Sequence, residues 1–426
     1  MKIIKLKEIQ WIENCYVRLS LCFFMGNPIN LFIYGSSGDQ ATTGPEESSL
    51  EPAIKLLIGL ISFFLLIFGK RFFFHELKYR NLLVWLITIL VLCSTAWSGA
   101  PDITLRRSIL LLGATIFGTY FSCRFSFKQQ ITFLAWAFGA IALMSFMIGA
   151  FVPSYGVMRG VHQGAWRGVY LHKNMLGIQM SLSTIFFLAA TSSNCMKRYR
   201  GLLMFFLAIS LFLVIASQST TNIVASFALI TAFLAFRILR LKMDFLIPVV
   251  LLAILFLGIS LMLLLPQTEA LFNVFGKDTT LTGRDELWYY LWELIKERPF
   301  FGYGYEAFWK DSNNYSLLWQ LIGWSAPHAH NGLLEVFLSI GFVGGLIYLS
   351  TFALTFLKSI RLIRIAQGYE YFFPALFLLH VIFTNATENN VLSSDGAWVL
   401  YVWACMIPIA LTRSNIFEEH VRVIDR

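Results

Sequence analysis

Charge is what this chain has least of. Asp, Glu, Lys and Arg make up 13% of its 426 residues and hydrophobic residues 57%, against about 25% and about 45–50% in soluble domains. A water-soluble globular fold is thereby excluded. Proline is sparse at 11 residues, so few apolar runs meet the residue that interrupts helices. Cysteine is sparse too. Four of the six (Cys15, Cys22, Cys93 and Cys405) lie inside apolar runs, and no disulfide framework follows from that placement. No internal repeat is visible, which counts against transporter folds built from duplicated halves. The basic amino terminus leads into Glu13 and Arg18 rather than an unbroken apolar core and a small-residue cleavage site. A removed signal peptide is therefore not expected.

What is present is a series of apolar runs of the length that crosses a bilayer, ~17–25 residues. They fall at 9–33, 52–68, 81–97, 105–121, 131–152, 175–191, 201–217, 222–236, 245–265, 331–357, 371–387 and 397–411. The expected fold is an all-α polytopic membrane protein with about 12 transmembrane helices, the first of them the weakest. Basic residues orient the set. Clusters around Lys5, Lys70, Arg124, Lys197, Arg237, Lys358 and Arg413 hold 21 of the 33 Lys and Arg. Strict alternation of the spans puts every cluster on one side, the cytoplasmic one, together with both termini. The net charge of +9 is then topogenic, and no nucleic-acid partner is implied. The expected layout is spans one to nine over 1–265, a large, partly helical outer loop over 266–330, and spans ten to twelve with a cytoplasmic tail over 331–426.

The outer side should be poor in cations, which makes its exceptions informative. They are Arg106 and Arg107; Arg159, Arg167 and Lys173 in loop 153–174; and Lys277, Arg284, Lys296, Arg298 and Lys310 in the long loop. Cations gathered at the outer leaflet point to an anionic lipid headgroup. The plainer alternative, ordinary loop cations, suits Lys296 and Lys310 better than Arg167 and Arg284.

The long loop runs roughly 65 residues, unusual for a connection without a function. In T-G-R-D-E-L-W, Thr282 and Asp285 precede Leu287, Trp288, Leu291, Leu294 and Ile295, the pattern of a capping box opening an amphipathic helix. Pro299 should end that helix near Arg298. Arg284 then sits in the first turn, where a cation opposes the helix dipole by about 0.3–1 kcal/mol. Free amides plus a guanidinium make an anion site, with phosphate the usual guest. The alternative is a surface arginine paired with Glu286 or Glu293. P-F-F-G-Y-G follows, and then P-H-A-H-N opens the apolar run that carries G-F-V-G-G. An imidazole at a helix N-terminus has its protonated form disfavoured, so His330 is expected to be neutral and able to accept a proton. H-x-H also suggests a metal, but no carboxylate or cysteine lies close enough in sequence to complete a set, and no metal is expected. Gly341 and Gly345 form G-x-x-x-G, a signal for close helix packing.

T-G-R-D-x-L-W, P-F-F-G-Y-G, and H-N followed after nine intervening residues by G-x-x-G resemble the O-antigen ligase/polymerase superfamily. R-G-V-Y-L-H-K-N at 167–174 and P-D-I-T-L-R-R at 101–107 are closer to its exopolysaccharide-polymerase branch. The resemblance spans about 97–345. It implies an enzyme of the bacterial inner membrane with its site on the periplasmic face. It implies an undecaprenyl-diphosphate-linked oligosaccharide donor, a lipid-linked glycan or lipid A core as acceptor, and no cofactor, nucleotide sugar or metal. A flippase and a chain-length regulator are the partner proteins it suggests. It also implies that Arg167 and Arg284 bind the diphosphate and that His330 is the base.

The chemistry is coherent on its own terms. A diphosphate leaves readily, so its departure needs charge stabilisation, which two arginines supply. The acceptor hydroxyl needs a base within hydrogen-bond reach. His328, Asn331, Lys173, Asn174, Arg106, Arg107, Glu335 and Glu388 are the further substrate-binding candidates. Asn331 would orient a sugar hydroxyl. Glu335, one helical turn beyond, is either its support or a paired core carboxylate. The leading expectation is a metal-independent inverting transferase that polymerises lipid-linked repeat units. A ligase acting on lipid A core or protein is its nearest rival. A permease or flippase for lipid-linked sugars would instead carry its decisive charges midway through spans.

Overall fold

The computed structural model describes residues 2–27, 50–68, 82–238, 283–386 and 388–407. Among them the chain is helical, with no strand and one isolated bridge, Val157 to Trp166. The helices are α1 (Lys2–Gly26), α2 (Leu50–Phe68), α3 (Leu83–Cys93), α4 (Pro101–Arg124), α5 (Phe127–Phe151), α6 (Lys173–Ser192) and α7 (Arg200–Ala216). They continue with α8 (Thr220–Ile238), α9 (Arg284–Glu297), α10 (Ser312–Ile322), α11 (Gly332–Ile365), α12 (Phe373–Asn385) and α13 (Gly396–Cys405). Each expected span with described residues overlaps a helix, although α3 and α13, at 11 and 10 residues, are shorter than the spans expected there. The ninth, 245–265, lies outside the described residues.

Among the described residues, six helical segments are long and apolar enough to cross a membrane: Leu50–Phe68, Phe127–Phe151, Lys173–Ser192, Lys197–Ala216, Thr220–Ile238 and Gly332–Ile365. This is a membrane protein. α1 and α4, at 25 and 24 residues, are long enough but carry several charges. The charge that weakens α1 in the sequence finds partners. Glu13 accepts from Arg124 Nε and Nη2 at 2.7 and 2.8 Å and from the Tyr120 hydroxyl at 2.7 Å, while Arg18 lies over the Phe133 and Trp136 rings. α2 leaves Leu57, Leu60, Phe63, Phe64 and Phe68 exposed, the face a helix turns to lipid rather than to water.

Several threonine hydroxyls inside the bundle are satisfied locally. Thr88, Thr115, Thr119, Thr184, Thr351 and Thr355 each donate to the carbonyl four residues back, the usual resort of hydroxyls on helices. Trp398 and Trp403, both fully buried, donate across helices to Thr115 and Gln130 at 2.9 and 2.7 Å.

α11 is not one helix. Ile340 and Gly341 break it, Gly341 taking a φ of 65°. P-F-F-G-Y-G fills the break. Tyr303 and Gly304 amides donate to the Leu338 and Ser339 carbonyls at 2.8 and 3.0 Å, and Phe342 and Val343 amides donate to Pro299 and Phe300 at 2.7 and 3.2 Å. Four backbone groups at the break are thus paired with the loop, as burial demands. A Cβ on Gly341 would stand 2.3 Å from the Phe300 backbone, and one on Gly302 (φ 66°) 2.5 Å from the Leu338 carbonyl. The expectation of helix-to-helix packing at Gly341 is therefore corrected: the close approach is real, but a loop makes it.

Outside the bundle a smaller core joins Leu287, Leu291 and Ile295 of α9 with Tyr303, Phe308, Leu318, Ile322, Ala326, Ala329 and Leu338. It is the platform that carries the histidines.

Candidate functional site

α9 begins at Arg284 with Gly283 as its N-cap, in a left-handed conformation (φ 76°) and with no side-chain cap. This corrects the capping-box expectation. A glycine turn, not Thr282, starts the helix, and Thr282 lies outside the described residues. Arg284 does occupy the first turn, and Pro299 does follow the helix end. Glu293 pairs with Lys296 at 2.7 Å, so the expected loop-cation role fits Lys296. Arg284 instead acts on Glu388 and His328. Burial lowers its pKa while Glu388 pulls it back up.

The H-A-H-N turn is held at its middle residue. The Ala329 amide donates to Glu335 Oε2 at 2.8 Å and its carbonyl accepts from Trp288 Nε1 at 2.9 Å. The other Glu335 oxygen accepts from Trp309 Nε1 at 2.8 Å. Glu335 is therefore a buried carboxylate spent on positioning the turn, one of the two roles open in the sequence. Asn331 is the N-cap of α11, its Oδ1 accepting from Leu333 and Leu334 amides at 3.0 and 3.1 Å. That bond employs the side-chain oxygen expected to meet a sugar. With both ends of the turn anchored, His330 adopts a left-handed φ of 50°. Its amide donates to His328 Nδ1 at 3.1 Å, and the two imidazoles lie 4.0 Å apart between centroids.

This geometry separates the histidines chemically. His328 is pushed down to about 4, mainly by burial and then by Arg284. Burial thus holds His328 as a neutral imidazole. Because His328 Nδ1 accepts a hydrogen bond, the proton of the neutral ring sits on Nε2 and makes that atom a donor.

Glu388 follows α12 and enters from the far end of the sequence. It accepts from Asn174 Nδ2 at 2.8 Å. Burial raises its pKa, opposed by Arg284 and by the Asn174 bond. Ligand atoms of His328, His330 and Glu388 all lie within 4.8 Å of one another. The premise that no carboxylate completes a metal set is therefore overturned: folding supplies one. Arg284, which bears electrostatically on both His328 and Glu388, makes the donor set a poor host for a cation and a good one for an anion.

Asn174 lies in the first turn of α6, directly after the loop that positions it. His172 Nδ1 accepts from the Asn174 amide at 3.2 Å, and Asn222 of α8 donates to its carbonyl at 3.4 Å. Arg167 is buried. Its Nε donates to Tyr155 O at 2.7 Å and its Nη1 to Leu171 O at 3.4 Å, so it ties together the loop that positions Asn174. Lys173 Nζ donates to Gln218 O at 3.4 Å. Arg107 pairs with Glu306 at 3.3 Å, and Arg106 is exposed one position earlier on α4. The structure thus brings together Arg284, His328, His330, Glu388 and Asn174. Sequence reasoning missed Trp288 and Trp309. Trp288 had a signal, one helical turn after Arg284 in the same motif; Trp309 had none.

Residues 205–349 match the O-antigen ligase family. The chain is also 28% identical over 278 residues to the exopolysaccharide production protein ExoQ of Rhizobium meliloti (strain 1021), a match that covers 61% of each protein. The resemblance drawn from the motifs holds. The family match includes Arg284, both histidines and the break at Gly341, and it leaves out Asn174 and Glu388.

Proposed function

We propose that this protein is a metal-independent inverting glycosyltransferase that joins undecaprenyl-diphosphate-linked oligosaccharide repeat units into an extracellular polysaccharide. The observation that carries the proposal is Arg284, at the open N-terminus of α9, beside Glu388 and two imidazoles of which one is held neutral. A guanidinium in the first turn of a helix suits a diphosphate, and an imidazole nearby suits a hydroxyl proton.

In the proposed step the acceptor hydroxyl oxygen attacks the anomeric carbon of the donor sugar. The bond from that carbon to the phosphate oxygen breaks, and the electron pair leaves with the diphosphate, whose growing charge Arg284 stabilises. The hydroxyl proton passes to His330. A single displacement inverts the anomeric centre. His328, with its proton on Nε2, donates to substrate or to Glu388. Arg167 is assigned a supporting role toward the diphosphate through the 153–174 loop.

Helix directions support a periplasmic site and cytoplasmic termini. α6, α8 and α11 all start near the cluster and run toward Lys197, Arg237 and Arg364 respectively, while α12 returns from that basic side. Cations gather on the cytoplasmic side of membrane proteins. The family description favours the second reading, a ligase handing the glycan to lipid A core or protein. Purified protein given synthetic undecaprenyl-diphosphate repeat units separates these. Chain growth with release of undecaprenyl diphosphate, undiminished by EDTA, is expected. Transfer only when lipid A core is added would establish the ligase, and no glycosidic bond with either acceptor would overturn both.

A further inference from the structure

Trp324 lies between α10 and the H-A-H-N turn. Its indole Nε1 is shielded from solvent and has no hydrogen-bond acceptor among the described residues. A buried donor left without a partner is costly. Neighbouring indoles avoid that cost: Trp288, Trp309 and Trp319 each donate, at 2.9, 2.8 and 2.9 Å.

The position of this N–H says what it could meet. A Cβ on Gly283, the N-cap of α9, would stand 3.0 Å from Nε1, and the indole ring lies 5.9 Å from the His330 ring. The donor is therefore lodged between the N-terminus of α9 and an imidazole of the cluster, one residue from Arg284. Asn389 Oδ1 and Asn390 Nδ2, next to Glu388 in sequence, are also buried and without partners among the described residues. Unsatisfied polar atoms thus gather on the segments that meet Arg284. An indole N–H can only donate, so its ligand must bring an acceptor. Beside a guanidinium and a helix N-terminus, an anionic oxygen is preferred.

We propose that Trp324 is a binding residue for the diphosphate of the lipid-linked donor, its Nε1–H donating to a phosphoryl oxygen held at Gly283 and Arg284. This rests on reading the cluster as a diphosphate site. The oxygen reaches Nε1 by a small shift of residues 323–325, ahead of the anchored H-A-H-N turn. Gly323, at the start of that stretch, has a φ of 76° and open space around it.

The test uses full-length protein in nanodiscs with undecaprenyl diphosphate as the probe. Trp324→Phe keeps the ring and deletes the donor. It should weaken binding about tenfold, the scale of a hydrogen bond to a charged group. The unfolding temperature without probe should hold or rise, because an unsatisfied donor has been removed. In wild-type protein the Trp324 indole 15N–1H resonance, identified by its loss in Trp324→Phe or Trp324→Tyr, should move downfield as the probe is added. Wild-type affinity in Trp324→Phe, or a stationary resonance at saturation, overturns the assignment and leaves the diphosphate site standing. Failure of the wild type to bind the probe instead overturns the diphosphate reading itself, and this proposal with it.

Discussion

Asn174 and Glu388 stand 214 residues apart in the chain, yet the Asn174 amide donates to the Glu388 carboxylate at 2.8 Å. The bond joins the first turn of α6 to the segment after α12 and holds a partly buried carboxylate toward Arg284 and the histidines. Asn174→Leu should lower kcat/KM about tenfold or more, because a hydrogen bond to a charged group contributes about 1.5–3 kcal/mol. Asn174→Asp should cost more at neutral pH, where two carboxylates face each other, and recover as acidification protonates one. Turnover of each variant across pH, at equal membrane abundance, checks this. Full activity in Asn174→Leu would show that the bond is incidental.

Arg284→Lys should lose most activity although the charge remains. A guanidinium holds two phosphate oxygens at once, and an ammonium does not. The loss should appear in donor affinity as well as in turnover. Near-normal polymer from Arg284→Lys would rule out a bidentate clamp.

His330→Ala should bind lipid-linked units but leave them unpolymerised, with a loss of about 10²–10⁴ in rate if proton removal is its task. His328→Gln should retain measurable polymer. Since His328 is pushed down to about 4, it stays neutral across the working range. An acid limb in the rate profile well above pH 4 must then belong to another group. That limb should persist in His328→Gln. Its disappearance there, with rate unchanged in His330→Ala, would reverse the assignment of the two histidines.

Glu335→Gln keeps the shape of the buried side chain but turns an NH2 toward one of two donors, the Ala329 amide or the Trp309 indole. Activity should fall more than about tenfold, and stability by ~1–3 kcal/mol, read as a lower unfolding temperature. Trp309→Phe added to Glu335→Gln removes the opposing donor and should recover part of both. If the double variant is as impaired as the sum of the singles, the carboxylate is not acting through that contact.

Loops 153–174 and 266–330 should face the periplasm, and 192–200 and 358–370 the cytoplasm. Single cysteines probed in intact spheroplasts with an impermeant thiol reagent report this directly. Labelling confined to 358–370, with 266–330 protected, would invert the orientation.

Much of this protein was legible in its sequence because hydropathy acts locally. A bilayer requires each spanning segment to satisfy its own backbone, so 57% hydrophobic content arranged in runs determines helices almost without reference to neighbours. Arg284 in a first helical turn, the stop at Pro299 and two histidines at a helix start were readable for the same reason. The site was not. Gly283 rather than Thr282 begins α9 because a left-handed turn there faces Trp324, a contact 41 residues away by number. Asn331 caps α11 and Glu335 clamps the Ala329 amide once the turn packs against α9, contacts that no local pattern announces. P-F-F-G-Y-G reads as a loop, and only the break at Gly341 shows which backbone groups it repairs. Glu388 and Asn174 acquire meaning only when the bundle closes. Charge pairing depends on distance in space, and tertiary packing alone sets that distance.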